Sequence, residues 1–94
     1  MTDTEKLKIL KSDLQLMTDA NDAFLVFLLT TAKREIEQEG IVMDEADVSC
    51  DLVQIHYAAY LFRRRGGDET SMPRFLRYEL NNLLFSQKGR INDV

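Results

Sequence analysis

Hydrophobic positions recur along this chain at helical spacing. Leu7, Leu10 and Leu14 fall at i, i+3 and i+7, which predicts a short helix over residues 4–14 with Thr4 as its N-cap. After a polar segment, Asp19 and Asp22 offer acids to the positive end of a second helix, predicted over 20–39. Phe24, Phe27, Leu28, Thr31, Ala32 and Ile36 form one stripe on it, and Leu25, Val26 and Leu29 widen that stripe until the first half is apolar nearly all round. Such width predicts a central helix, or one that touches a second subunit. Gly40 is the natural C′ residue closing it.

Ile41, Val42 and Met43 read as a short β-like connector, and Asp44 with Asp47 as the cap of a third helix over 45–65. One face of that helix is Val48, Leu52, Ile55, Ala59 and Phe62, extended by Val53, Tyr57, Tyr60 and Leu61. Arg63, Arg64 and Arg65 occupy its last turn, where cations complement the helix dipole, and Gly66 takes the C′ position. A polar loop over 68–71 offers Thr70 or Ser71 as the next cap, and Pro73 fits a first helical turn. The fourth helix, predicted over 72–87, carries Phe75, Leu76, Leu80, Leu83 and Leu84, with Gly89 stopping it and 89–94 as a loose tail. The expectation is an all-α fold: one domain over 1–94, a compact bundle of three main helices plus a short N-terminal one.

Composition fits that picture. Ninety-four residues, 45% hydrophobic and 30% charged, make one small domain with a thin core. The longest apolar run, residues 23–29, is far short of the roughly 18 residues that span a bilayer. The acidic, polar start predicts no secretory signal, and the single Cys50 fits a reducing cytosol. The net charge of −4 is unevenly spread: residues 1–59 carry 12 acids and 5 bases, or −7, and residues 60–94 carry 4 acids and 7 bases, or +3. Such a split predicts two unlike ends or faces, suited to contact between copies, to nucleic acid or to an acidic partner.

Candidate chemistry is sparse. One His and one Cys, His56 and Cys50, are not a metal ligand set; His56 reads as a partly buried helix residue and Cys50 as a small packing residue. Glu35, Glu37 and Glu39 are spaced by two, so a helix splays them apart. The pair Gly66 and Gly67 follows a helix and lacks the phosphate-loop pattern. The chain therefore reads as neither an enzyme nor a cofactor protein. Candidate interface residues are Arg63, Arg64, Arg65, Arg74 and Arg77, clustered around one loop, with Tyr57, Tyr60 and Tyr78 expected partly outside the core. Those arginines keep a second reading open, a small helical DNA-binding or regulatory protein that uses the 63–77 basic loop on phosphates.

The wording of the chain adds a resemblance. A leucine-spaced short helix is followed by TDANDAFL, then by helices ending AKREIEQEG and YAAYLFRRRGG, and by MPRFLRYELNNLLFSQK over residues 72–88. This pattern resembles the small head–tail connector, or adaptor, proteins of tailed bacteriophages; the closing segment is its most specific part. The resemblance implies a virion structural protein without cofactor or catalysis. It implies a closed ring of about twelve copies made by heterologous contacts. Such a ring sits beneath the portal protein, continues the DNA channel without sequence-specific binding and presents a surface to the stopper or tail-completion protein. It would work at the virion head–tail interface after assembly in the host cytoplasm, with no membrane involved.

Overall fold

Thr2, not Thr4, opens the first helix. The Thr2-Asp3-Thr4-Glu5 stretch forms a reciprocal capping box: the Glu5 N–H donates to Thr2 Oγ1 at 3.1 Å and the Thr2 N–H donates to Glu5 Oε1 at 2.9 Å. The computed structural model describes residues 1–67 and 71–92, the last three by backbone alone. Among these residues its regular elements are all helices: α1 (Asp3–Asp13), α2 (Asp22–Gln38), α3 (Val48–Arg65) and α4 (Arg74–Asn92), with no strand. The four-helix expectation agrees with this, with boundaries shifted by up to five residues.

The helix ends follow local chemistry. At the end of α1 the Leu16 N–H donates to the Lys11 carbonyl and the Gln15 N–H to the Ser12 carbonyl, a Schellman closure that holds Gln15 at φ 58°. Gly40, at φ 95°, closes α2 as expected. Asp47 caps α3 by accepting from the Ser49 N–H at 2.9 Å, and Asp44 accepts from the Ala46 N–H. Other termini correct the reading. Asn21 precedes α2 without a side-chain cap, while Asp19 and Asp22 both converge on Lys11 at 2.8 and 2.9 Å. Gly66 is still right-handed, and Gly67, at φ 83°, supplies the left-handed residue after α3. α4 does not stop at Gly89 but runs to Asn92, since a helical glycine costs only about 1 kcal/mol against alanine and ends a helix only by turning left-handed. Residues 68–70 of the expected loop, including the Thr70 cap, and the last two residues of the tail lie outside the described residues.

α3, not α2, is the central helix. Its buried residues surround it: Cys50, Asp51, Val53, Gln54, Ile55, Tyr57, Ala58, Ala59 and Tyr60. Gln54 and Phe62 face α2, through the Leu29 carbonyl and Phe24 respectively, and His56 faces α4 through Glu79. Gln54 and His56 differ by about 200° in helical phase, so α2 and α4 cover opposite sides of α3. α1 packs on both α3 and α2. The result is a slab of 47 × 29 × 18 Å whose core joins Leu10, the α2 face Leu25, Leu28, Leu29, Ala32 and Ile36, the α3 residues and Leu76, Leu80 and Leu83 of α4. Several expected core positions turn outward. Val26 and Phe27 of α2, Val48 and Leu52 of α3, and Phe75 of α4 are exposed.

Candidate interface

The five candidate arginines divide into tied and exposed groups. Arg63, from the last turn of α3, reaches the end of α1 and donates to the Asp13 carboxylate at 3.2 Å and the Asp13 carbonyl at 3.3 Å. It satisfies a terminal carbonyl of α1, so its role here is structural. Arg77 makes a bidentate pair with Glu39, at 2.8 and 3.2 Å, that ties α4 to the end of α2. This pairing raises the Arg77 pKa above the ordinary arginine value, chiefly through its hydrogen bond to Glu39. Arg65 lies over the Phe24 ring at 4.6 Å, and Phe24 stacks at a tilt against Phe27 and Phe62. Arg64 and Arg74 are exposed and form no ion pair among the described residues.

The tyrosines divide as sharply. Tyr57 and Tyr60, expected partly outside, are each only 7% exposed and meet edge to face with ring centroids 6.0 Å apart. The reason is phase: α3 is packed on both sides, so positions that extend one face of it belong to the core beneath another helix. Burial pushes the Tyr57 phenol above its ordinary pKa, and the carboxylates of Glu35 and Glu39 add to the shift. Tyr78 is 68% exposed, on the side of α4 turned away from α3. Phe85, seven residues on, is 69% exposed on the same face. No protein-family model, curated protein or solved structure matches the chain. Its surfaces therefore have to be read from their own chemistry.

Polar groups organise the interior instead. Asp51 is 3% exposed in the first turn of α3. Lys6 Nζ lies 3.4 Å from its Oδ1, and the Met1 α-amine lies 3.3 Å from Oδ2, which accepts no hydrogen bond. Lys6 also donates to Gln54 Oε1 at 2.9 Å, and Gln54 Nε2 donates to the Leu29 carbonyl at 2.9 Å. One chain of contacts thus links α1, α3 and α2. At the far side Gln87 takes both polar groups of the Val42 backbone at 2.8 Å each, in the manner of a neighbouring strand. His56 pairs with Glu79 at 2.8 Å and meets Phe75 edge on. Among the described residues no group of three or more His, Cys, Asp or Glu side chains could hold a metal ion. Cys50 is buried, with its pKa raised mainly by desolvation.

Charge is arranged by the ends of α3. Asp44, Glu45 and Asp47 surround its start, and Glu45 shares a cleft there with Asp3 and Glu5 of α1. Arg63, Arg64 and Arg65 mark its end, about 27 Å away for 18 residues. The start of α3 is acidic, while at its end Arg63 meets the Asp13 carboxylate and Arg65 the start of α2, where Asp19 and Asp22 hold Lys11, so that end is mixed in sign.

Proposed function

We propose that the chain is a structural adaptor of a tailed bacteriophage, assembling into a ring beneath the portal that joins head to tail and continues the DNA channel. The wording of residues 72–88, MPRFLRYELNNLLFSQK, carries this reading, because it is the segment that most resembles the connector family. The arrangement of charge supports it. A subunit with an acidic start to α3 and exposed cations at Arg64 and Arg74 suits heterologous contacts, which repeat from copy to copy and close into a ring. The partners are then other copies of this chain, the portal and a stopper or tail-completion protein. DNA passes through without sequence-specific binding. The reading gives the chain no catalytic role and no cofactor, and sets its work at the head–tail junction of the virion.

Exposed Arg64 and Arg74 are the charged contacts we assign to a neighbour or to the portal, since Arg63 and Arg77 are already engaged within the fold. The test is native mass spectrometry over a concentration series, with and without portal, and negative-stain images of the particles. Rings of about a dozen copies that are lost in the Arg64→Glu/Arg74→Glu variant are expected. Assembly and portal attachment unchanged by that variant at physiological salt would overturn the arginine assignment. A chain that forms no ring with or without portal, yet binds duplex DNA with steep salt dependence, would replace the adaptor reading by the DNA-binding one.

A further inference from the structure

Two helices leave apolar side chains on their outward faces, and those faces point in opposite directions. α4 buries Leu76, Leu80 and Leu83 against α3. Its opposite side presents Tyr78 and Phe85, one heptad apart, with Arg74, Asn81, Asn82 and Lys88 around them, all exposed and none acidic. α2 buries Leu25, Leu28, Leu29, Ala32 and Ile36. Its opposite side presents Ala23, Val26, Phe27 and Thr30, with Arg34 and Glu37 in its charged half. Val26 is 49% and Phe27 56% exposed. Because α2 and α4 cover opposite sides of α3, the two stripes lie on opposite flanks of the fold.

We infer that these stripes are the two halves of one contact between copies: the Tyr78/Phe85 face of α4 in one subunit packs on the Val26/Phe27 face of α2 in the next. This deepens the ring reading and rests on it. Two observations select a second copy of α2 as the occupant. The charged residues around the α4 stripe are all cations, so pairing it with itself would bring Arg74 and Lys88 toward their own copies, whereas the α2 face balances Arg34 with the Glu37 carboxylate and adds no net positive charge. Both centres are aliphatic or aromatic, the composition found where interfaces are driest. Contact through opposite sides of one subunit is heterologous: each copy donates one stripe, accepts the other and repeats the step until the rotation closes.

The test is complementation between two damaged faces. Tyr78→Asp/Phe85→Asp removes the α4 stripe, and Val26→Asp/Phe27→Asp removes the α2 stripe; all four side chains are exposed, and helical circular dichroism checks each fold. Wild type oligomerises in native mass spectra at high concentration. Each double variant alone is expected to stay monomeric, with association weakened about 30-fold or more for each aromatic lost. Mixed together they are expected to form a one-to-one dimer and nothing larger, since one intact stripe of each kind remains. Three outcomes overturn the inference: an α2 variant that still dimerises alone, an α4 variant that assembles like wild type, or a wild type monomeric even at millimolar concentration. A further one is an α4 variant that loses only salt-sensitive duplex binding, which would make that stripe a DNA surface. A portal-templated ring would survive the first three of these, so the inference and the adaptor reading fail separately.

Discussion

Lys6→Met isolates the polar link between α1 and α3. Lys6 and Asp51 side chains are 12% and 4% exposed, so their pairing is poorly screened. The substitution keeps a long apolar stem of similar volume and deletes the ammonium. Gln54 Oε1 loses a donor at 2.9 Å, worth about 1.5–3 kcal/mol for a charged hydrogen bond. Asp51 loses one of two cations, and stripping a buried carboxylate of its partner costs about 3–5 kcal/mol. The two penalties overlap, and the Met1 α-amine still faces Asp51, so we expect about 3 kcal/mol in all. Urea unfolding followed by helical circular dichroism should move its midpoint down by about 1.5–3 M, for a slope of about 1–2 kcal/mol/M. Adding Asp51→Asn should recover most of the loss, because the orphaned charge is then gone. A loss under about 0.5 kcal/mol, or a double variant no better than the single, would refute the reasoning. Either result would mean that the start of α3 and the α-amine hold Asp51 without Lys6.

Three other outcomes follow from the same structure. Gln15→Gly should stabilise the chain by about 0.5–1 kcal/mol in the same urea assay, since Gln15 closes α1 at φ 58°, where a side chain is strained; no gain would mean that the strain is relieved locally. Cys50, buried and with its pKa raised, should react with a thiol reagent only through opening of the fold; rapid labelling of native protein would contradict its packing role. Glu5 and Asp19 both have pKa values lowered in the fold, Glu5 by its hydrogen bonds to Thr2 and Asp19 by Lys11. Their contribution is therefore full above the unfolded carboxylate value of about 4 and is lost as pH falls through the folded values. Glu5→Gln should blunt the acid dependence of Tm, and an unchanged profile would remove the capping box from that account.

What could be read from the sequence was whatever depends on near neighbours. Asp47 and Gly40 sit where capping chemistry put them, because a cap needs only the next two or three residues. Thr2 with Glu5 makes the capping box that Thr4 cannot, and this too is near-neighbour chemistry. Helix phase was harder. α2 is apolar nearly all round in its first half, so a stripe through Phe24 and Phe27 fits periodicity as well as the buried one through Leu25 and Leu29. In α3 the apolar stripe takes in Leu52, which is exposed, and leaves out Asp51 and Gln54, which are buried, because periodicity carries no information about a Lys6 arriving from 48 residues away. The arginine cluster was visible as composition, but its division was not. Only the tertiary positions of Asp13 and Glu39 decide that Arg63 and Arg77 are engaged within the fold.

These misreadings have a common cause, and it bears on assembly. The central helix spends buried surface on Asp51 and Gln54, while Phe27, Tyr78 and Phe85 stay outside. A chain of 94 residues has little core to spare, so outward aromatics leave the lone subunit less stable than the same subunit with both stripes covered. α4 feels this most: it is held by Leu76, Leu80 and Leu83 and by the Glu39–Arg77 and Val42–Gln87 links along one edge. If its outer face is covered by another copy, folding and association are linked, and stability must rise with concentration. A hundredfold increase in protein then adds about 2.7 kcal/mol, which for a domain of this size raises Tm on the order of 10 °C. Scanning calorimetry across that range should show the rise in wild type and its absence in Tyr78→Asp/Phe85→Asp. A Tm independent of concentration in the wild type would sever the link between the exposed stripes and assembly, leaving α4 stabilised by its inner face alone.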